Sequence, residues 1–248
     1  MSRTEMSLPT ADGDARAFVF KPDAGQGPWP GAVMLMDAPA IRPALFDMGE
    51  RLAAAGYVVV LPDLFWRAGP YPTLDIAAAR AGDPAAVELF GKLRASTGAG
   101  RQMTDVKACL DYLAADADVK PGKVGVTGYC MGGSIALRAA GTYPDRVGAA
   151  ASFHGGNMAT DDEKSPHLLA PAIKARVLVA GAIEDRSYDE AQNIRLTEAL
   201  SAAGVDAQVS IWEGCRHGWV PADMPVHNPD GAERHWRELT ALFDGALT

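Results

Sequence analysis

Cysteine is scarce in this sequence. The 248 residues include only three cysteines, Cys109, Cys130 and Cys215. An odd number of widely separated thiols does not fit the disulfide framework that stabilises many secreted proteins. We therefore expect reduced thiols and a cytoplasmic protein.

A basic surplus and long apolar runs are also missing. The formal net charge of −8 leaves no general positive potential to attract a nucleic-acid backbone. No apolar run approaches the roughly 20 residues of a membrane-spanning helix. The first residues, MSRTEMSLPTADGD, contain no apolar core of the signal-peptide type. We expect neither a nucleic-acid nor a membrane partner.

Cofactor and metal motifs are absent as well. The sequence contains no GxGxxG pattern and no P-loop pattern, so neither a nicotinamide nor a nucleotide cofactor is indicated. Cys215 and His217 lie close together in the chain, but they lack the paired spacing typical of a structural zinc site. The sequence predicts no cofactor and no metal.

Strand and helix patterns alternate along almost the whole chain. Asp12-Gly13 separates two opening strand patterns, which predicts a hairpin. The apolar runs GAVMLM at 31–36 and YVVVLP at 57–62 are typical of strands buried on both faces. The alternation predicts one α/β domain over residues 1–248, with a mostly parallel, doubly wound sheet and helices on both faces.

Residues 67–100 interrupt this alternation. They contain the turn-rich pieces GPYP, AGDP and STGAG, with helical patterns around 74–81 and 84–93. Such a length is unusual for a simple connection between elements. The segment is predicted to be a lid-like element or an elaborate surface loop.

The stretch GYCMGG at 128–133 joins a strand pattern, KVGVTG, to a helix pattern, SIALRAA. It matches the G-x-nucleophile-x-G pattern, with cysteine in place of serine. A sharp strand-to-helix turn needs small neighbours and exposes the central side chain. The helix N-terminus at this point favours a thiolate. The motif predicts Cys130 as a nucleophile; a plain tight turn is the alternative.

A nucleophilic thiol needs a base, and the base needs an orienting carboxylate. In this type of fold they follow the nucleophile in the order acid, then histidine. The strand pattern ARVLVAG leads to Glu184 and Asp185, and the strand pattern VSIW leads to EGCRHGW with His217. Function in such sheets collects beyond the carboxyl ends of the strands. We expect His217 to be the base and one of the two acids to be its partner.

These motifs resemble those of the dienelactone hydrolase family, the cysteine-dependent branch of the α/β-hydrolase superfamily. The similarity runs from GAVMLMDAP to the last helix. It rests on PDLFWR at 62–67, GYCMGG, the GxxxD stretch that ends at Asp185 and the loop with His217. The resemblance implies the α/β-hydrolase fold and a small-molecule ester or lactone substrate.

The resemblance also implies roles for individual residues. Cys130 corresponds to the nucleophile, His217 to the base and later acid, and Asp185 to the orienting carboxylate. The backbone N–H groups of Ala38 and Met131 correspond to the oxyanion hole.

Two positions depart from the family pattern. Asp37 stands where the family carries a glutamate that interacts with the resting thiol, so Asp37 is the thiol-orienting candidate. The family holds its substrate's carboxylate with arginines, whereas Pro221 occupies one of these positions and Arg80 is only a nearby candidate for the other. We therefore expect an uncharged ester or lactone rather than the dienelactone itself.

Aromatic and histidine side chains at strand ends and in the 67–100 segment are further candidates. Ordinary packing in the core is the alternative for each of them. The candidates for lining the substrate pocket are Trp66, Tyr71, Tyr129, His154 and Trp219.

The sequence thus predicts hydrolysis of a carboxylic ester or lactone through a cysteine acyl-enzyme. Two alternatives belong to other functional classes. One is a non-catalytic ligand-binding protein in which Cys130 is merely the turn residue. The other is a thiol redox sensor in which Cys215 approaches Cys130 in space.

Overall fold

Eight strands form one sheet in the computed structural model, which describes residues 2–247 apart from the side chains of Ser2 and Arg80. The strands are β1 (Ser2–Thr10), β2 (Gly13–Lys21), β3 (Gly31–Leu35), β4 (Val58–Pro62), β5 (Val124–Tyr129), β6 (Val147–Phe153), β7 (Arg176–Ile183) and β8 (Ala207–Arg216). Their order across the sheet is β1-β2-β4-β3-β5-β6-β7-β8. All residues of β3, β4 and β5 are buried, as expected of central strands covered on both faces.

The first two strands form the predicted hairpin. β1 and β2 pair in antiparallel register, with Thr10 opposite Gly13 at the turn. Gly13 has a φ of 129°, which glycine adopts without the strain that a side chain would cause. β2 also pairs antiparallel with β4, whereas every pair from β4 to β8 is parallel. The prediction of a mostly parallel sheet is confirmed.

Helices cover both faces of the sheet. They are α1 (Pro43–Ala54), α2 (Ile76–Arg80), α3 (Pro84–Ala95), α4 (Ala99–Ala115), α5 (Met131–Thr142), α6 (Glu190–Ala202) and α7 (Pro229–Ala246). An ion pair between Arg51 and Glu233 joins α1 to α7 on one face. On the other face α4 packs against α5, and the 3₁₀ segment Pro166–Ala172 connects α5 with α6. Among the helices of residues 2–247, none combines the length and the apolar composition that a membrane span requires.

The last helix, α7, begins where its sequence predicts. The Asn228 side chain accepts a hydrogen bond from the Gly231 N–H at 3.0 Å, and Pro229 occupies the first helical position. Both features satisfy or remove N–H groups that the first turn leaves unpaired. Further along, the Phe243 ring lies so close to Gly125 of β5 that a Cβ there would sit 2.5 Å from it. This contact anchors α7 on the middle of the sheet.

The 67–100 segment contains both predicted helices, with slightly different bounds. The Asp75 side chain accepts the Ala78 N–H at 2.8 Å, which starts α2 at Ile76. The Asp83 side chain accepts the Ala86 N–H at 2.9 Å and starts α3. Carboxylate caps of this kind decide where a short helix begins.

His235 of α7 is completely buried against the last residues of β5 and β6. Its Nε2 lies 2.9 Å from the Tyr129 hydroxyl, and its ring packs edge-on against Phe153 at 4.2 Å between centroids. Burial lowers the pKa of His235 from 6.5 to about 3, because the charged ring would lose its hydration in the core. The ring is therefore neutral at neutral pH.

A buried neutral histidine makes stability depend on pH. Its pKa is lower in the folded state, so its contribution is complete above pH 6.5 and is lost as the pH falls toward 3. Between pH 7 and pH 5 we expect His235 to lower the free energy of unfolding by about 2 kcal/mol. Urea unfolding of the wild type and of His235→Leu at both pH values measures this. The variant should lose less stability between the two pH values; equal losses would contradict the assignment.

Candidate active site

Cys130 occupies the turn between β5 and α5 with a strained backbone. Its φ of 53° and ψ of −115° lie outside the regions that residues with a side chain normally adopt. The turn is this tight because two glycines let backbone approach backbone. A Cβ on Gly128 would collide with the Gly132 carbonyl, and a Cβ on Gly132 would collide with the Leu35 carbonyl. The glycines of GYCMGG therefore have the role that the sequence predicts for them.

The backbone of Cys130 is held from the neighbouring strand. Its N–H donates to the Phe153 carbonyl at 3.1 Å and to Nδ1 of His154 at 3.0 Å. His154 is completely buried and itself has a φ of 43°. Burial lowers the pKa of His154 well below its usual value, so the ring is neutral and its Nδ1 is able to accept this hydrogen bond. His154 thus fixes the turn at Cys130.

His217 and Asp185 meet at the same edge of the sheet. Nδ1 of His217 lies 2.6 Å from Oδ2 of Asp185. The other carboxylate oxygen of Asp185 accepts the Ser187 N–H at 2.8 Å and the Ser187 hydroxyl at 2.6 Å. Glu184, the competing acid, forms an exposed ion pair with Arg216 at 2.9 Å instead. Of the two acids, Asp185 is the one that contacts the imidazole.

Electrostatics couple the thiol, the imidazole and the carboxylate. Burial by itself lowers the pKa of His217, but hydrogen bonds with Asp185 and Cys130 outweigh it and raise the pKa to about 10. Burial also opposes ionisation of Asp185, yet the hydrogen bonds from His217 and Ser187 hold the pKa of this carboxyl below its usual value. His217 is therefore a strong proton acceptor beside Cys130, with an ionised carboxylate behind it.

A cavity of about 690 Å³ opens beside these groups. Cys130 and His217 lie in its wall, and the two residues with the expected oxyanion N–H groups, Ala38 and Met131, lie there too. Apolar side chains of the 67–100 segment form another wall: Ile76, Ala79, Val87 and Phe90. The 67–100 segment thus borders the site with these apolar side chains. Such side chains favour an uncharged part of a ligand.

Asp37 lies in the cavity wall but contacts a residue other than the expected one. Its two carboxylate oxygens accept hydrogen bonds from Arg42 at 2.5 and 2.9 Å. The expected contact with the resting thiol of Cys130 is replaced by this bidentate pair. The physical reason is the nearby guanidinium, whose planar N–H groups match both oxygens of a carboxylate.

Four of the five expected pocket residues lie away from the cavity: Trp66, Tyr71, Tyr129 and Trp219. Trp66 and Tyr71 each donate a hydrogen bond to a buried aspartate, at 3.1 and 2.7 Å. Tyr129 and Trp219 are completely buried, since their rings pack in the core beneath the site. Only His154 of the five lies in the cavity wall. The expectation of an aromatic pocket is thus wrong for the other four.

The two expected positions for substrate-binding arginines have different outcomes. Pro221 is buried in the loop after His217, and the side chain of Arg80 lies outside the described residues. Arg94 of α3 lines the cavity instead, with an exposed side chain. Arg94 lies in the same 67–100 segment as Arg80, the nearby candidate for the second arginine.

Sequence reasoning missed several groups that organise the site. Ser187 follows Asp185 by two residues, a spacing typical of an Asx-turn, and this signal could have predicted its contact with the carboxylate. Arg42 pairs with Asp37 and, from the other side, with Asp223. No local pattern marks that contact, because Arg42 and Asp223 are 181 residues apart.

Comparisons with known proteins identify the family and the fold. A model of the dienelactone hydrolase family matches residues 15–247. A proposed carboxymethylenebutenolidase from Synechocystis is 24% identical over 98% of the chain and 97% of its own length. The crystal structure of a proposed dienelactone hydrolase from Klebsiella pneumoniae superposes with a TM-score of 0.84 at 22% identity, covering 98% of both chains. A dienelactone hydrolase-like promiscuous phosphotriesterase from metagenomic libraries gives 0.77 at 21% identity, covering all of both chains.

The tight turn at Cys130 should depend on Gly128. In Gly128→Ala the new Cβ collides with the Gly132 backbone, so we expect a loss of about 1–3 kcal/mol in the free energy of unfolding. Urea denaturation measures this loss. Gly100→Ala is the matched control, because nothing lies within 4 Å of a Cβ there. It should be neutral or stabilising by up to about 1 kcal/mol. Equal effects at the two positions would contradict the argument.

The high pKa of His217 should depend on Asp185. In Asp185→Asn the negative charge beside the ring is lost, so we expect the pKa of His217 to fall from about 10. NMR titration of the imidazole Cε1–H resonance measures this pKa. Glu184→Gln removes a neighbouring carboxylate that pairs with Arg216 instead, and it should leave the His217 titration unchanged. A fall in Glu184→Gln but not in Asp185→Asn would reverse the assignment.

Proposed function

Because the chain belongs to the dienelactone hydrolase family, we propose that it hydrolyses a carboxylic ester or lactone through an acyl-thioester on Cys130. Family membership supports hydrolase activity on lactone or ester-like substrates. The observation that carries the finer proposal is that Cys130 and His217 share one wall of the cavity, while Asp185 contacts the far side of the His217 ring. Acyl transfer requires a nucleophile beside a base and an acid that orients the base.

In the first step the thiol proton of Cys130 passes to Nε2 of His217. The hydrogen bonds that raise the pKa of His217 to about 10 favour this transfer, and the Asp185 carboxylate stabilises the resulting imidazolium. The thiolate then attacks the carbonyl carbon of the ester. The carbonyl π electrons move to its oxygen, which becomes the oxyanion of a tetrahedral intermediate.

Two backbone N–H groups at the cavity are suited to stabilise this oxyanion. Met131 is the first residue of α5, where an N–H has no partner within its own helix. Ala38 lies in the loop after β3, and among residues 2–247 no hydrogen bond engages its N–H. Removing one such donor commonly lowers the rate about a hundredfold or more.

The second step releases the acid. When the intermediate collapses, the C–O bond breaks and the leaving oxygen takes the proton from the imidazolium of His217. His217 then removes a proton from water, which attacks the thioester carbonyl. Cleavage of the C–S bond gives the carboxylic acid and returns the thiol of Cys130.

The same chemistry defines the preferred substrate class. A thiolate is a better leaving group than a simple alkoxide, so an intermediate with an alkyl ester returns to the starting materials. Enolates and phenolates leave more readily and let the acyl-enzyme form. Together with the apolar side chains that α2 and α3 contribute to the cavity wall, this favours enol lactones and aryl esters over alkyl esters.

Replacing Cys130 tests the proposal. In Cys130→Ala we expect kcat/KM for p-nitrophenyl acetate to fall at least about a thousandfold, because the covalent intermediate cannot form. Stopped-flow release of p-nitrophenolate measures the rate, and intact mass measures an acetyl adduct on the wild type. Cys109→Ala removes a thiol buried in α4 and serves as the control with normal turnover.

Other outcomes would favour the alternatives. Neither an acetyl adduct nor hydrolysis of any activated ester or lactone by the wild type would identify a binding protein. A peroxide-induced disulfide between Cys130 and Cys215, reversible by a thiol, would favour a redox sensor. Unchanged ester hydrolysis in Cys130→Ala would refute the role of the thiol.

A further inference from the structure

Arg42 lies buried between two loops at the cavity. It follows β3 by seven residues and precedes α1, and it is 8% exposed. Nη1 donates to Oδ1 of Asp37 at 2.5 Å and to the Ala40 carbonyl at 3.2 Å, and Nη2 donates to Oδ2 of Asp37 at 2.9 Å. One edge of the guanidinium is thus bound within the loop that connects β3 with α1.

The other edge of the guanidinium reaches a distant part of the chain. Nε donates to Oδ2 of Asp223 at 2.6 Å, and Nη2 donates to Oδ1 at 3.1 Å. Asp223 lies in the loop between β8 and α7. These contacts bring the total to five hydrogen bonds, which equals the five N–H groups that a guanidinium carries. Arg42 therefore joins the two loops through a pair of bidentate contacts.

Each of these loops carries a part of the proposed machinery. The loop after β3 contains Ala38, whose N–H is an oxyanion donor in the proposed function. The loop after β8 begins with His217 and also contributes Met224 to the cavity wall. The contact between Arg42 and Asp223 therefore connects the oxyanion side of the site with the imidazole side.

The charges of this cluster hold it together. Burial by itself lowers the pKa of Arg42, but the carboxylates of Asp37 and Asp223 raise the pKa above its usual value. The guanidinium therefore stays charged. Asp37 is 2% exposed, whereas the Asp223 side chain is 42% exposed. Asp37 and Arg42 thus form the buried part of the cluster, and Asp223 forms its exposed part. If the Asp223 carboxylate is removed, the buried charge of Arg42 is still paired with Asp37.

We propose that Arg42 and Asp223 are positioning residues, which hold the Ala38 loop at a set distance from the His217 loop so that the oxyanion hole is formed before the ester binds. The inference rests on the proposed function, since it assigns these residues to the acyl-transfer step. A preformed donor needs no rearrangement when the negative charge develops on the carbonyl oxygen. Small displacements of such groups are costly, because the reacting geometry tolerates little error.

Truncation of Asp223 separates this role from activation of the thiol. In Asp223→Ala we expect the burst-phase rate of acylation by p-nitrophenyl acetate to fall about tenfold, since an oxyanion donor is misplaced. Alkylation of Cys130 by iodoacetamide should change by less than about twofold, because displacement at a saturated carbon forms no oxyanion and depends on the thiolate alone. Both reagents are uncharged, so a changed local charge has little effect on their binding.

Two further variants complete the experiment. Arg42→Lys keeps the positive charge but cannot form two bidentate contacts. It should likewise lower the rate of acylation while leaving the rate of alkylation nearly unchanged. Glu233→Ala is the matched control: it truncates the exposed partner of Arg51, a bidentate pair with both distances 2.6 Å that joins α1 to α7. Glu233→Ala should change neither rate.

The outcomes are distinct. Normal acylation in Asp223→Ala would overturn the positioning role while leaving the proposed function intact. A parallel fall of acylation and alkylation would also overturn it, because the cluster would then act on the thiol itself. Absence of an acyl adduct on the wild type would refute the proposed function, and the positioning role with it.

Discussion

The backbone turn at Cys130 is the constraint on which the site depends. A residue with a side chain keeps a φ of 53° only where its surroundings leave no alternative. Gly128 and Gly132 provide that condition, because their missing side chains let α5 start directly against the ends of β5 and β3. The N–H of Cys130, bound to both Phe153 and His154, locks the turn from the neighbouring strand. The thiol is therefore presented at the carboxyl edge of the sheet by rigid backbone.

Proton affinity at this edge is organised by burial and hydrogen bonding together. Ser187 and His217 stabilise the carboxylate of Asp185, and Asp185 in turn makes His217 a stronger base. His154, in the same wall, stays neutral because it is buried without a carboxylate partner. The two histidines at the cavity thus have pKa values that are shifted in opposite directions. His154, with its lowered pKa, accepts a hydrogen bond from a backbone N–H, whereas His217, with its raised pKa, is suited to take up a proton.

Asp37, Arg42 and Asp223 form a charged cluster that joins two loops at the cavity. The resemblance led us to expect Asp37 beside the thiol, but a guanidinium occupies both of its oxygens. The guanidinium belongs to Arg42, which lies in the same loop as Asp37, between β3 and α1. Asp223 then extends the cluster to the loop after His217. The loop with Ala38 and the loop with His217 are thereby connected by hydrogen bonds as well as by the sheet.

The sequence by itself determined the strand–helix alternation, the hairpin at Asp12-Gly13, the turn at Cys130 and the identity of the loop with His217. These follow from local patterns, namely apolar periodicity, turn residues and caps, which act over a few residues. Local patterns left Glu184 and Asp185 both open as the acid, and the family resemblance pointed to Asp185. Only the tertiary structure decided that most of the expected aromatic side chains belong to the core and that Arg42 binds Asp223. Such contacts depend on which side chains meet across the sheet edge. Distance along the chain carries no information about them, because packing brings together residues that have no shared local pattern.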